Sequence, residues 1–173
     1  MQNLITRLGL ENRLQPQHLH RYLMQCGLAT VVVLILLLIL DILTQTVLIA
    51  ALGASTFIAF AVPRSPHSDP RHMIGGYLVG VLSGGLMGLL QGAMHFTSPT
   101  INHELMVACG ALATGLAMFL MVMTKTEHPP AAALALGLVL NEWDWPTLLV
   151  IIGGIVVLAI VKQVVMPLLM DLL

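Results

Sequence analysis

The sequence predicts an all-α polytopic membrane protein of six membrane segments, two of them short or broken, arranged as a 3+3 inverted repeat. Three observations predict it. Of the 173 residues 58% are hydrophobic and 9% charged, against roughly 25% charged in soluble domains, and the mean hydropathy is +0.95. Apolar runs suited to a hydrocarbon layer of ~30 Å recur between proline-bearing breaks. Two polar knots, one at Gly53-Ala54-Ser55-Thr56 and one at Lys125-Thr126-Glu127-His128-Pro129-Pro130, sit within apolar surroundings, where irregular backbone must be covered or line a cavity. The net charge of -1 makes no case for nucleic acid as a partner.

Residues 1–21 place Leu4, Ile5, Leu8 and Leu14 among Arg7, Glu11 and Arg13, the pattern of a cytoplasmic amphipathic segment lying on membrane lipid. They lack the apolar core of a signal peptide. A single transmembrane unit covers 22–166, and 167–173 form a tail. The first span is 22–40, closed by Asp41. The second, 46–62, carries the Gly53 knot and is expected to unwind there. Pro63 to Arg71, with three prolines and two arginines, is a loop. The third span, 72–91, repeats glycine every fourth residue at Gly76, Gly80, Gly84, Gly88 and Gly92. That stripe permits close backbone approach, and a homo-oligomer (a dimer) through Gly76, Gly80, Gly84 and Gly88 is one expectation. Spans 104–124, 129–140 and 147–165 complete the set, with Trp143 and Trp145 at an interfacial turn.

The six crossings gather all seven Lys and Arg residues on one side, so both termini are expected in the cytoplasm, with the chain in the inner membrane of a bacterium. The fifth segment is short: 129–140 rises only ~18 Å as helix. If residues 124–128 dip inward extended, they add ~16 Å and put Pro129 near mid-depth. The halves echo one another: Cys26-Gly27 with Cys109-Gly110, and Ile74-Gly75-Gly76 with Ile152-Gly153-Gly154. This order suggests the inverted duplication common in secondary transporters.

If helices begin near Ser55 and near Pro129, their positive ends converge on a small inorganic anion. The binding residues are then Gly53, Ala54, Ser55, Thr56, Glu127, His128, Pro129 and Pro130, with Lys125, Arg64 and Arg71 at the mouth as gating residues. Glu127 fits such a site poorly. It serves equally well as a cap on the Pro129 helix or as a proton carrier with His128. A proton- or cation-linked carrier is therefore the alternative, and an intramembrane enzyme the second alternative. No nucleophile or phosphate-loop motif is present, so an enzyme is not expected. Neither a cofactor nor a metal is expected, because the histidine spacings form no ligand set and Cys26 and Cys109 sit in apolar runs as packing residues.

His128-Pro129-Pro130-Ala131-Ala132-Ala133, preceded by Gly53-Ala54-Ser55, Pro63-Arg64-Ser65-Pro66 and Pro70-Arg71-His72-Met73-Ile74-Gly75-Gly76, resembles the HPP family of integral membrane proteins. The likeness covers most of the chain from Tyr22 to Val165. The family usually shows Gly-Ala after the prolines, where this chain has Ala131-Ala132. The resemblance implies transport, since plant and cyanobacterial relatives are associated with nitrite movement. Nitrite, or nitrate, is accordingly the expected cargo.

Overall fold

The computed structural model describes residues 16–40, 46–94 and 96–172. Among the described residues six α-helices succeed one another: α1 Pro16–Leu40, α2 Thr46–Ala61, α3 Pro70–Ala93, α4 Pro99–Thr124, α5 Pro129–Leu140 and α6 Trp145–Val165. Short 3-10 turns lie at Pro66–Ser68 and Met166–Leu168, and no strand occurs among the described residues. Proline stands in the first turn of α3, α4, α5 and α6, where its missing N–H is no loss and its fixed φ already suits a helix. The helices α3, α4 and α6 are long and apolar enough to cross a membrane; the apolar stretches of α1, α2 and α5 are shorter.

Several expected boundaries move. The amphipathic segment at 1–21 lies mostly outside the described residues, and from Pro16 onward the chain already belongs to α1. The connection expected before Glu104 shrinks because α4 begins at Pro99. Asn102, inside its first turns, accepts from the Phe96 amide at 3.0 Å and donates to the Phe96 carbonyl at 2.8 Å. The expected break at Gly53 is absent: α2 runs through it as unbroken helix. Glycine keeps its N–H and C=O, so the helix ladder survives. Ser55 and Thr56 also donate their hydroxyls to the carbonyls of Ala51 (3.0 Å) and Leu52 (2.9 Å), which removes any need for unwinding.

The centre of the molecule is α3, packed most extensively on α5 and α4, with α2 and α6 closing around them. Its glycine stripe is what admits α5. A Cβ on Gly76 would lie 2.7 Å from that of His128, and one on Gly80 would lie 2.5 Å from the Ala131 carbonyl oxygen. One on Gly84 would lie 2.6 Å from the Ala135 oxygen. Because the contacts advance together along both helices, α3 and α5 run parallel. At Gly76, Gly80 and Gly84 the face expected to meet a second copy is filled by α5 of the same chain. Ala131, Leu134, Ala135, Ala113 and Ala117, all 0% exposed, continue this close core into α4 and α5.

The tail folds back on α1 and α2. Buried Gln25 donates to the carbonyls of Phe60 and Met170 and accepts from the Met170 amide at 3.3 Å. Leu172 donates its amide to the Ala61 carbonyl at 2.8 Å.

At the other end, Asp144 caps α6 by accepting from the Thr147 hydroxyl at 2.6 Å and the Thr147 amide at 2.9 Å. These bonds hold the carboxyl below the usual carboxylate range. A depressed folded-state value means stability that is present above the unfolded value and lost as pH falls through the folded one. Asp144→Ala should therefore lower the thermal midpoint at pH 7, and the gap from wild type should narrow as the pH is taken below 4. An equal gap at all pH values would show that the carboxylate is not the cap.

Candidate functional site

Helix α4 ends in a left-handed residue, Lys125 (φ 54), with Thr126 N–H bonded to the Met121 carbonyl at 2.9 Å and Lys125 N–H to that of Val122 at 3.3 Å. This is the Schellman pattern, and it turns the chain sharply back. Thr126, Glu127 and His128 then run without helix to Pro129. Pro129 and Pro130 forbid helix before them, so His128 is extended (φ -139, ψ 96). Gly75 and Gly76 leave room for Thr126 and His128 against α3. His128 consequently sits beside Gly76, about 9 Å along a helix that rises ~36 Å in all. That is nearer the Pro70 end of α3 than its middle.

There the His128 ring is fully buried (0% exposed), and both of its nitrogens are engaged. Nδ1–H donates to the carbonyl oxygen of His67 at 2.8 Å, and Nε2 lies 2.8 Å from the Ser55 hydroxyl. The Ser55 oxygen in turn lies 2.8 Å from the Tyr77 hydroxyl. Tyr77 packs its ring on that of His128 with centroids 5.8 Å apart. The His67 carbonyl can only accept, which fixes the proton of a neutral His128 on Nδ1 and leaves Nε2 as an acceptor. The proline loop is thereby drawn inward: Ser68 is buried with its hydroxyl on the Pro63 carbonyl (2.7 Å), and His67 Nδ1–H donates to the Glu127 carbonyl at 2.7 Å.

The expected site residues divide. Ser55 and His128, 73 positions apart, meet directly, and Glu127 stands beside them with its carboxylate 3.5 Å from His72 Nε2. Gly53 and Ala54 lie partly outside the core, and the Thr56 hydroxyl stays on its own helix. The pair of converging helix ends does not form. Ser55 is in the middle of α2, Pro129 and Pro130 have no N–H, and the next amide, that of Ala131, is spent on the His128 carbonyl at 2.9 Å. Glu127 does not cap α5, which has no side-chain cap. Arg71 reaches the Thr124 carbonyl at 3.3 Å, next to exposed Lys125, whereas Arg64 turns to Asp171 (3.8 Å) and the tail.

Two participants, Tyr77 and His67, were not read from the sequence. Tyr77 looked like an ordinary residue of an apolar span, although a phenol beside two packing glycines was a signal. His67 acts through its backbone, which no side-chain pattern reveals. Lys162, in the last turn of α6, is only 2% exposed, with Asp69 as the charged group facing it. Although His67, His72, His128 and Glu127 gather here, no metal-binding group of three such side chains forms among the described residues. A cleft of about 220 Å³ opens beside the cluster between α4 and α5. Met118, Met121, Val122, Pro129 and Ala132 wall it, and Glu127 and His128 border it without turning polar surface into it.

Comparison with known proteins places this geometry in a family. Two transmembrane proteins of Dictyostelium discoideum are 38% and 35% identical to the chain over 100 and 99 residues, each match covering 57% of it. The matches take in only 32% and 29% of those proteins' own lengths. No solved structure matches. The family described as "HPP, transmembrane region" matches residues 14–170, a stretch that contains the His128-Pro129-Pro130 corner and every residue of the cluster. The chain belongs to the HPP transmembrane family.

Proposed function

We propose that the protein is a proton-linked membrane transporter in which His128 takes up and releases the proton. One observation carries the reading. Four contacts link Tyr77 to Ser55, Ser55 to the Ala51 carbonyl, Ser55 to His128 Nε2, and His128 Nδ1 to the His67 carbonyl. With His128 neutral only three protons serve them, one each on Tyr77, Ser55 and Nδ1, because Ser55 cannot donate to Ala51 and to Nε2 at once. A fourth proton, placed on Nε2, completes the set without moving a heavy atom. Ser55 needs only to turn its hydroxyl. A buried charge costs least when it is paired and hydrogen-bonded, and here the hydrogen-bonding partners are already in place before the proton arrives. In this reading all six helices cross an inner membrane, and the end bearing Arg71, Lys125 and Lys162 faces the cytoplasm together with both termini.

A second reading is passage of a small inorganic anion, nitrite or nitrate. The exposed Arg71 and Lys125 beside the cluster favour it. The absence of free helix-end amides at Pro129 weighs against it.

Proteoliposomes holding a pH-sensitive dye separate the two. An imposed pH gradient should drive proton flux through wild-type protein. Ser55→Ala removes the group that answers the extra proton and should lower that flux roughly ten- to a hundredfold, the worth of a hydrogen bond to a charged group. Nitrite uptake with no proton movement, equal in wild type and Ser55→Ala, would instead establish the anion reading.

A further inference from the structure

The 220 Å³ cleft between α4 and α5 presents only carbon and thioether sulfur to whatever fills it. Met118 and Val122, on its α4 wall, are 57% and 61% exposed, so it opens onto the hydrocarbon around a membrane-spanning bundle. Met121, Pro129 and Ala132 close it on the inner side. Water finds no polar partners in such a space. An apolar cavity of roughly 150 Å³ stays dry and accepts benzene, so the larger volume here takes a stretch of flexible hydrocarbon. Left empty, the walls would forfeit their dispersion contacts on one side.

One end of the cleft is marked by positive charge. The amide of Lys125 bonds the Val122 carbonyl at 3.3 Å, so this left-handed residue caps the same turn of α4 that walls the cleft. Its side chain is exposed, and the ion pairs among the described residues leave it aside: Arg64 takes Asp171, and His72 takes Glu127. Exposed Arg71 joins it from α3, with one guanidinium N–H on the Thr124 carbonyl at 3.3 Å. The rest of that donor fork is open to an acceptor from outside. Glu127, the neighbouring acid, directs its carboxylate to His72 at 3.5 Å. From Lys125 back to Met118 the chain descends about 10 Å along α4, the step from headgroup level into the upper hydrocarbon.

We infer that the cleft holds an acyl chain of one anionic phospholipid, whose phosphate lies at Lys125 and Arg71. Basic side chains at headgroup level draw anionic lipid, and the apolar walls begin one turn below them. Methionine side chains adapt their shape to such an occupant. A chain seated there covers the Pro129 side of His128 and keeps water from that side of the buried ring. The site needs no proton on His128, so it stands or falls apart from the proton-linked reading.

The test offers the full chain, purified in mild detergent, equal amounts of phosphatidylglycerol and phosphatidylcholine with identical acyl chains. Native mass spectrometry counts the lipid retained. One phosphatidylglycerol per chain should be kept in preference to phosphatidylcholine. Lys125→Asn, a residue that tolerates the left-handed backbone, should lower that preference about fivefold, the worth of one basic residue at an anionic membrane surface. Ala132→Leu puts a larger side chain into the cleft and should lower retention of both lipids several-fold. Ala133→Leu, exposed at the next position of α5 and outside the cleft, should keep lipid as wild type does. Equal retention of the two headgroups, or retention indifferent to Ala132→Leu, would mean annular lipid only and overturn the inference. An equal loss in Ala133→Leu would do the same, because the effect would then not belong to the cleft. Glycerophosphoglycerol, the headgroup without its chains, should fail to displace the lipid at equal concentration. Displacement by it would reduce the site to a surface anion contact and leave the cleft without its chain.

Discussion

Gly80→Ala is expected to separate α3 from α5 and to cost more stability than any other one-methyl change in the bundle. The added Cβ would stand 2.5 Å from the carbonyl oxygen of Ala131 and 3.3 Å from its carbon. Those atoms belong to the α5 backbone, which cannot swing aside as the end of a side chain can. Inserting one carbon into a packed core costs about 1–3 kcal/mol, occasionally more, and a backbone neighbour puts this case at the upper end. The gain of up to ~1 kcal/mol in helix propensity on replacing glycine is too small to offset it. Gly85→Ala supplies the control: a Cβ there meets nothing within 4 Å, so only the propensity gain remains and the midpoint should hold or rise. Both are read from thermal unfolding in detergent, followed by circular dichroism. An unchanged midpoint for Gly80→Ala would mean that the two helices are not in this contact. Such a loss would reach the site as well, since the same face of α3 seats Thr126 and His128 at Gly75 and Gly76.

The helices were largely legible because apolar runs and prolines mark them independently. Pro70, Pro99 and Pro129 each open a helix. The stripe on α3 was legible as a packing face, but not its partner. Glycine says that a backbone approaches and is silent on whether that backbone belongs to the same chain. Gly53 misled for a related reason. In a membrane helix glycine, serine and threonine read as a break, yet all three can stay helical when hydroxyls bond to carbonyls four residues back, as those of Ser55 and Thr56 do. The meeting of Ser55 with His128 was anticipated as two knots converging. Its chemistry was not, because helix-end amides were expected where two prolines in fact remove them. Tyr77 and the His67 carbonyl depend on the register between α3, α5 and a folded-in loop, and a single sequence does not encode register openly.

That register makes His128→Gln the sharpest test of the site. Glutamine can keep both outward contacts of the ring, its amide N–H donating to the His67 carbonyl and its amide oxygen accepting from Ser55. The fold should survive, with an elution profile in size-exclusion chromatography like that of wild type. What glutamine cannot do is take up a proton and give it back, as an imidazole can. Proton flux in liposomes should therefore fall at least about a hundredfold, the lower bound for losing a positioned proton-transfer group. Tyr77→Phe, which removes one hydroxyl from the far end of the same set, should lower flux less than Ser55→Ala, because Ser55 touches His128 and Tyr77 reaches its nitrogen only through Ser55. The order His128→Gln, Ser55→Ala, Tyr77→Phe in falling severity is what a chain of donors ending at one proton site requires. Flux that survives in His128→Gln, or a Tyr77→Phe effect larger than that of Ser55→Ala, would mean that the proton travels elsewhere and that this buried cluster only holds the loop, α2 and α5 together.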